Sequence, residues 1–264
     1  QGELRVVREE NQIHYFDVGG TVQTLVTPGQ TPDTASNPPV PKPAGYMEVT
    51  SSAGTVTTDA FGNFNFPGAT GPLDVTFRYV GTYNNVLNDT GAEYTKTVTL
   101  NTGTGNSVVM NSPAASLVTS QSTTFSAINR MRDWTRSVNP FDTTSDFNAP
   151  SFVNINDSCN AFYNGNSINF YNAGGGCANT TFDVIVHHEY GHHAVASAGS
   201  GQDSYGEGMG DVLGVLLTGD NQLARGFYQG DCVNGIRNAD NSKQYPCSGE
   251  IHDCGQLISG CVWD

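Results

Sequence analysis

Positive charge is scarce in this chain of 264 residues. Lysine and arginine together number 11 against 25 aspartate and glutamate residues, so the formal net charge is -14 and the isoelectric point lies near 4.5. Nucleic acids and anionic membrane surfaces attract proteins through clustered basic side chains. The composition therefore argues against both kinds of partner. The longest apolar run near a helix, residues 212–217, is also far short of the ~20 residues that span a bilayer.

The cysteines include no CxxC pair, which argues against a metal site built from thiolates. All six lie in the second half of the chain, among loops rich in Ser, Thr, Asn and Gly. An even count in this setting favours disulfides and an oxidising, extracellular compartment, so we expect a secreted protein. Cys159 and Cys177 flank a predicted hairpin and are the first expected pair. Cys254 and Cys261 lie too far apart along one predicted helix to bridge each other.

Residues 1–118 are predicted to be rich in β-strands. Half of the 12 prolines fall in residues 28–43, which are predicted to form a linker or a long loop. Segments with strand character and turn residues between them then recur, so we predict an all-β sandwich at about residues 44–112. Strands are expected at residues 4–7, 13–18 and 21–26, the last two separated at Gly19-Gly20, and at 46–51, 55–58, 63–66, 73–79, 95–100 and 107–110.

Helical periodicity begins in the second half, residues 119–264. Residues 123–138 place Phe125, Ile128, Met131 and Trp134 on one face of a predicted amphipathic helix. Residues 159–172 predict two short strands joined at Asn164-Gly165. The chain is thus expected to be an α+β protein, in which an all-β region precedes a domain with helices.

The most informative segment is His188-Glu189-Tyr190-Gly191-His192, within a predicted helix over residues 184–198. Residues four apart lie on the same face of a helix, so both imidazoles can bind one metal ion while Glu189 stands beside it. The alternative is a buried helix whose histidines only pack and hydrogen-bond, or a structural metal site without turnover.

Glu207, in a predicted helix over residues 204–217, is the candidate for the third ligand. A catalytic zinc site has three protein ligands and one open position. A competing explanation is that Ser204 and Glu207 form a capping box at the start of this helix. We favour the ligand role, because Glu207 and Asp211 share one face and the nearby glycines indicate a close approach of another backbone or a metal. Asp211 is expected to bind the free N–H of a ligating histidine.

These segments together resemble the thermolysin-like and fungalysin-like metallopeptidases, the zincins in which glutamate is the third zinc ligand. The resemblance covers about residues 123–264. A weaker resemblance, carried by residues 55–66, links the β-sandwich to the transthyretin-like module found beside carboxypeptidases. Five segments carry the zincin resemblance in order along the chain: Asn160-Ala-Phe-Tyr-Asn-Gly165, His188-Glu-Tyr-Gly-His192, Glu207-Gly-Met-Gly-Asp211, Gly235-Ile-Arg237 and Gly249-Glu-Ile-His252.

The resemblance implies a zincin catalytic domain and a role for each segment. Asn160 and the backbone of Ala161 would hold an extended substrate, and Arg237 would contact a substrate carbonyl. His252 would stabilise the transition state from the rim of the cleft, with Tyr205 as a candidate second donor. Cys247 stands where thermolysin relatives have an aspartate that orients this histidine.

The expected function is that of a secreted zinc endopeptidase with Glu189 as general base and peptides or proteins as substrates. The alternatives are a catalytically impaired zincin fragment that binds partners through its β-sandwich, and a zinc hydrolase that does not act on peptides. Calcium is a possible further ligand, although no loop with recognisable calcium-ligand spacing is present. Because an apolar helix over residues 251–264 has no stop signal, the chain is also expected to be a fragment that a missing C-terminal segment or a companion polypeptide completes.

Overall fold

The computed structural model describes residues 14–264, and the strand predicted at residues 4–7 lies outside them. Within this range the chain has a mixed α+β fold, mostly sheet with four helices, so the predicted class is confirmed. The strands are β1 (Phe16–Val26), β2 (Val40–Pro43), β3 (Met47–Ser51), β4 (Gly54–Thr57), β5 (Asn63–Ala69), β6 (Leu73–Gly81), β7 (Asn84–Asn88), β8 (Thr95–Leu100), β9 (Gly103–Met110), β10 (Ala149–Ile155), β11 (Ala161–Tyr163), β12 (Ile168–Tyr171), β13 (Gln222–Leu223) and β14 (Arg237–Asn238). The helices are α1 (Ser116–Val138), α2 (Asp183–Ser197), α3 (Asp203–Thr218) and α4 (Ile251–Trp263).

Two sheets pack face to face in the first half of the chain. The smaller sheet has the order β2-β1-β5, and β9 pairs with β1. It packs on the part of a larger sheet made by β3, β4, β6 and β8. The rings of Phe64 and Phe77 meet across the interface with centroids 5.5 Å apart, and Thr24 shares a hydrogen bond of 2.7 Å with the hydroxyl of Tyr79. This layer includes β1, so it begins well before the residue 44 expected from the sequence.

Gly19-Gly20 does not interrupt β1, contrary to the expectation of two strands. β1 is one continuous strand between β5 and β9. A Cβ atom on Gly20 would lie 2.0 Å from the carbonyl oxygen of Asn106, and one on Gly19 would lie 2.6 Å from that of Phe64. The two glycines therefore serve the close approach of both neighbouring strands and do not form a turn.

One sheet joins the two halves of the chain. Its order is β11-β12-β10-β7-β6-β3-β4, with β8 also paired to β6. Strand β7 runs parallel to β10, with Asn84 opposite Ala149 and Asn88 opposite Val153. The sequence-based division after residue 118 therefore runs through a shared sheet. The two strands that form this junction were missed, because the segment NNVLN is mostly polar and β10 contains Pro150.

Helix α1 begins at Ser116, seven residues before the predicted start at residue 123. The extra turns are polar in sequence, yet most of their side chains are buried. Their polar atoms have partners on the sandwich: the hydroxyl of Ser122 donates to the carbonyl of Leu25, and Gln121 accepts from the backbone N–H of Tyr94. Hydrophobic periodicity cannot detect a helix face that is buried through hydrogen bonds.

The proline-rich residues 28–39 form a long loop, one of the two predicted alternatives, and this loop packs on the second half of the chain, so the other alternative, a linker, is wrong. The backbone N–H of Gly29 donates to the carboxylate of Asp183 at the start of α2, and Asp183 also pairs with Arg130 of α1 at 2.8 Å. The buried side chain of Gln30 accepts a hydrogen bond from the backbone of Ala224. This segment therefore fixes the start of the helix that carries the two candidate metal-binding histidines.

Two disulfides are present among the described residues. Cys159 is bonded to Cys177, as predicted, and Cys247 is bonded to Cys254, a pair that the sequence did not predict. Cys232 and Cys261 are free and exposed. Within residues 14–264, none of the helices has the length and hydropathy that a membrane-spanning segment needs.

The close approach at Gly20 provides a test of the fold. Gly20→Ala should lower the free energy of unfolding by about 1–3 kcal/mol, because its methyl group would collide with the backbone of β9, which cannot rotate away. Gly105→Ala in the same strand pair is the matched control, since a Cβ there meets nothing within 4 Å. Urea denaturation measures both. Equal stability of the two variants would contradict the described pairing of β1 with β9.

Candidate metal centre

The three predicted metal-binding residues lie together between α2 and α3. One ligand atom from each of His188, His192 and Glu207 falls within 4.8 Å of the others, and all three residues are buried. Nε2 of His188 is 3.3 Å from one carboxylate oxygen of Glu207, and Nε2 of His192 is 3.5 Å from the other. Among residues 14–264, no other group of three His, Cys, Asp or Glu residues has the spacing of a metal site.

Glycines bring α2 and α3 close enough to form this cluster. A Cβ on Gly191 would lie 3.0 Å from the Cα of Gly210, and a Cβ on Gly210 would lie 2.7 Å from Nδ1 of His188. The glycines of the segment Glu207-Gly-Met-Gly-Asp211 thus leave room for the close approach of another backbone and of the His188 ring. Ser204 does not cap α3, because the N-cap position belongs to Gln202 and no side-chain cap is formed. The capping-box explanation for Glu207 is therefore wrong.

The donor atoms fit a metal ion. Nε2 of His188 and Nε2 of His192 face each other at 3.2 Å, and they cannot both carry a proton without repulsion. One buried carboxylate oxygen of Glu207, Oε2, forms no aligned hydrogen bond, although Nε2 of His188 and Nε2 of His252 lie 3.3 and 3.2 Å from it. Buried polar atoms without partners are rare in native proteins, and a bound cation would give this oxygen the partner that it lacks. Two imidazoles and one carboxylate around a common point could therefore hold a divalent cation.

A buried network behind His188 raises its pKa. Nδ1 of His188 lies 2.9 Å from Asp211, although its N–H is not aligned well enough for a full hydrogen bond. Burial alone would lower the pKa of His188, but Asp211 and Glu207 raise it to about 10. On the carboxyl of Asp211 burial has the opposite effect and raises the pKa. The guanidinium of Arg237 and the ring of His188 outweigh this effect and lower the pKa of Asp211 to about 2. Asp211 thus lies beside Nδ1 of His188, and its expected hydrogen bond with the N–H of this ring stays a prediction.

Gln202 supports the second histidine and was missed from the sequence. Its side-chain oxygen lies 2.9 Å from Nδ1 of His192, and its amide nitrogen donates to the carbonyl of the same residue at 3.0 Å. Because the oxygen can only accept, Nδ1 carries the proton and Nε2 presents a lone pair. Burial and the neighbouring His188 lower the pKa of His192 to about 4, which keeps the ring neutral. A lone Gln at a helix start gives no recognisable sequence signal for this role.

Arg237 lies beside the site, with a contact that the sequence did not predict. Its Nε and Nη2 both donate to Asp211 at 2.7 Å, and the side chain is largely buried. Arg237 also lines a small cavity of about 70 Å³ next to Glu189 and His252. The guanidinium of Arg237 therefore mainly orients Asp211. Its Nη1 is not part of the ion pair with Asp211. Its expected contact with a substrate carbonyl stays a prediction.

Glu189 lies beside the three predicted ligands, and its role as general base stays a prediction. Burial raises the pKa of its carboxyl to about 7, near the value at which a group both accepts and releases protons at neutral pH. Glu189 borders an open cleft of about 580 Å³ together with Asn160, Ala161 and the metal-binding cluster. Strand β11, which begins at Ala161, pairs only with β12 among the described strands, so its other edge faces away from the sheet.

His252 lies at the rim of the same cleft. It belongs to the first turn of α4, and its side chain is 45% exposed. Nε2 is 3.2 Å from Glu207, and Nδ1 is 2.5 Å from Glu250. Glu250 also accepts the backbone N–H groups of His252 and Asp253 as the N-cap of α4. The residue that orients His252 is therefore Glu250, which the sequence analysis missed.

Two further candidates have other surroundings. Cys247, which stands where relatives have the orienting aspartate, is bonded to Cys254, and Glu250 is the residue that contacts Nδ1 of His252. Tyr205 does not line the cavities around Glu189. Its side chain is 46% exposed and lies along a separate groove formed with Leu257 and other apolar residues of α4. Tyr205 is therefore removed as a second donor to the reacting group.

Comparison with known protein families and with curated proteins found no match for this chain.

Glu207→Gln tests whether the cluster binds metal. The variant should bind zinc at least tenfold more weakly, because a neutral amide replaces the only anionic ligand atom. Glu93→Gln, at an exposed position on the β-sandwich, is the control and should bind zinc as the wild type does. Competition with a chromogenic chelator measures both affinities. Unchanged zinc affinity in Glu207→Gln would show that Glu207 is not a ligand.

Proposed function

We propose that this protein is a secreted zinc-dependent endopeptidase. The observation that carries the proposal is the convergence of His188, His192 and Glu207 on one point, with Glu189 beside them on the wall of an open cleft. Two imidazoles and a carboxylate are a ligand set typical of catalytic zinc. A purely structural site would be closed by a fourth protein ligand. The two disulfides are consistent with an extracellular location.

Bound zinc would supply a Lewis acid that polarises a carbonyl and makes water a nucleophile near neutral pH. Glu189 would accept the proton of a water molecule in the cleft and pass it to the departing amine. Asp211 and Gln202 would hold the two imidazoles in the orientation and tautomer that the ligand role requires. No side chain of this cluster needs to form a covalent bond with the substrate.

The substrate would bind as an extended strand. The outer edge of β11 offers backbone groups to a peptide, and Asn160 and Ala161 border the same cleft as Glu189. His252, with a proton on each ring nitrogen, would donate from Nδ1 to Glu250, which fixes the ring, and from Nε2 to the oxyanion that develops on the attacked carbonyl. A cleft bordered by this strand edge would favour cleavage within a peptide chain.

Glu189→Gln separates metal binding from turnover. The variant should keep zinc near one ion per chain, because the three ligands are unchanged, and should lose about 10²- to 10⁴-fold in kcat, since the proton acceptor is gone. Zinc content by atomic absorption and cleavage of casein by mass spectrometry provide the two measurements. Turnover at the wild-type rate would remove Glu189 from the mechanism.

His252→Ala tests the oxyanion role. It should lower kcat by about 10²- to 10³-fold and leave KM and zinc content near wild type, as expected for a contact made mainly in the transition state. Glu250→Gln should reproduce part of this loss through the ring orientation. Loss of zinc from His252→Ala would instead place His252 among the metal ligands.

A further inference from the structure

The turn of α2 that carries His192 also carries His193, whose ring lies in a different environment. The ring centroid is 3.8 Å from that of Phe147 and 5.3 Å from that of Tyr163, and the side chain is half-buried. Nδ1 of His193 is 3.2 Å from the hydroxyl of Tyr163. Successive residues of one helix therefore contact the metal centre and the hairpin of β11 and β12.

The direction of this hydrogen bond follows from the second partner of Tyr163. Its hydroxyl donates to the carbonyl of Gly165 in the hairpin turn at 2.8 Å, and a carbonyl can only accept. The same oxygen must therefore accept from His193, so that Nδ1 carries the proton. The result is a chain of hydrogen bonds from α2 through Tyr163 to the turn at Gly165.

Tyr163 also reaches the catalytic side of the cleft. It is the last residue of β11, the candidate substrate-binding edge, and it lines the same open cleft as Glu189. The other end of the hairpin is held elsewhere, by the bond between Cys159 and Cys177. Within residues 14–264, the contact of His193 with Tyr163 is the only hydrogen bond between side chains that joins α2 to this hairpin.

We propose that His193 is a positioning residue, which fixes the distance between the edge of β11 and the metal-binding histidines and thereby sets the affinity for an extended peptide. This inference rests on the proposed peptidase function. His192 and His193 are neighbours in one helical turn. The same turn therefore fixes the position of the peptide strand and that of the metal ligands. Loss of the hydrogen bond would release only the end of β11 next to Glu189, since the disulfide retains the other end.

Hydrogen exchange on the zinc-loaded chain tests the positioning itself. His193→Leu keeps apolar bulk against Phe147 but removes the donor, and Tyr163→Phe removes the acceptor. Each variant should speed amide exchange in residues 161–165 about three- to tenfold, because this factor corresponds to the net free energy of one neutral hydrogen bond. The zinc content should not change. The double variant should exchange no faster than the single ones. His193→Asn, which retains an N–H near the position of Nδ1, should restore slow exchange.

Tyr245→Phe is the control, because the Tyr245 side chain is 89% exposed and its hydroxyl forms no hydrogen bond among the described residues. The proposal would be overturned if amide exchange in His193→Leu and Tyr163→Phe is as slow as in this control. Additive effects in the double variant would also overturn it.

Kinetics test the consequence for substrate binding. For a peptide long enough to lie along β11, both single variants should raise KM about three- to tenfold with little change in kcat, because they weaken binding of ground state and transition state alike. Unchanged KM would overturn the link to affinity. If the wild-type chain shows no turnover, the peptidase function is contradicted but the positioning role of His193 is not. Peptide affinity measured by calorimetry then replaces KM as the test of that role.

Discussion

The site depends on how closely α2 and α3 approach each other. A methyl group at Gly210 would collide with the ring of His188, and one at Gly191 would collide with the backbone of α3. Either would separate the helices and move Glu207 away from the two histidines. The same device recurs between α3 and α4, where a Cβ on Gly255 would lie 2.8 Å from the backbone nitrogen of Gly208. Three helices thus meet through glycine, and each supplies one part of the site.

The charges around Glu207 favour a cation at this point. Asp211 is neutralised by the buried guanidinium of Arg237, whereas Glu207 lies within 3.5 Å of Nε2 of His188, His192 and His252. Of His188 and His192, whose Nε2 atoms face each other, only one can readily be protonated. A divalent ion would replace that proton and provide a partner for the unpaired oxygen of Glu207. The segments on either side of the cleft are each anchored by a disulfide, Cys159–Cys177 beside Asn160 and Cys247–Cys254 around His252. The groups that would contact a substrate are therefore held independently of the metal.

Sequence patterns predicted the features that depend on short spacings. The four-residue spacing of His188 and His192, the hairpin turn at Asn164-Gly165 and the pairing of Cys159 with Cys177 all follow from local geometry, and the structure contains them. Glu207 was predicted as the third ligand from the face that it shares with Asp211 and from the nearby glycines, and the resemblance to zincins implied the same role. The function itself stays a proposal.

Features that depend on contacts distant in sequence could not be predicted. The parallel pairing of β7 with β10 joins segments about 65 residues apart, and neither has a strong strand pattern. The polar start of α1 is stabilised by hydrogen bonds to the sandwich, so its burial leaves no apolar stripe. Gln202 and Glu250 orient ligand and rim histidines through single side-chain contacts, for which no sequence motif exists.

The central claim is that one metal ion held by His188, His192 and Glu207 makes this chain a peptidase. The most direct measurement is a zinc titration of chelator-treated protein in the presence of casein, with bound zinc and newly formed peptide N-termini quantified in the same samples. We expect that cleavage is absent without zinc, rises in proportion to bound zinc and saturates at about one ion per chain. Cleavage that persists in the chelator, or a chain that binds one zinc ion and forms no new N-termini, would contradict this claim.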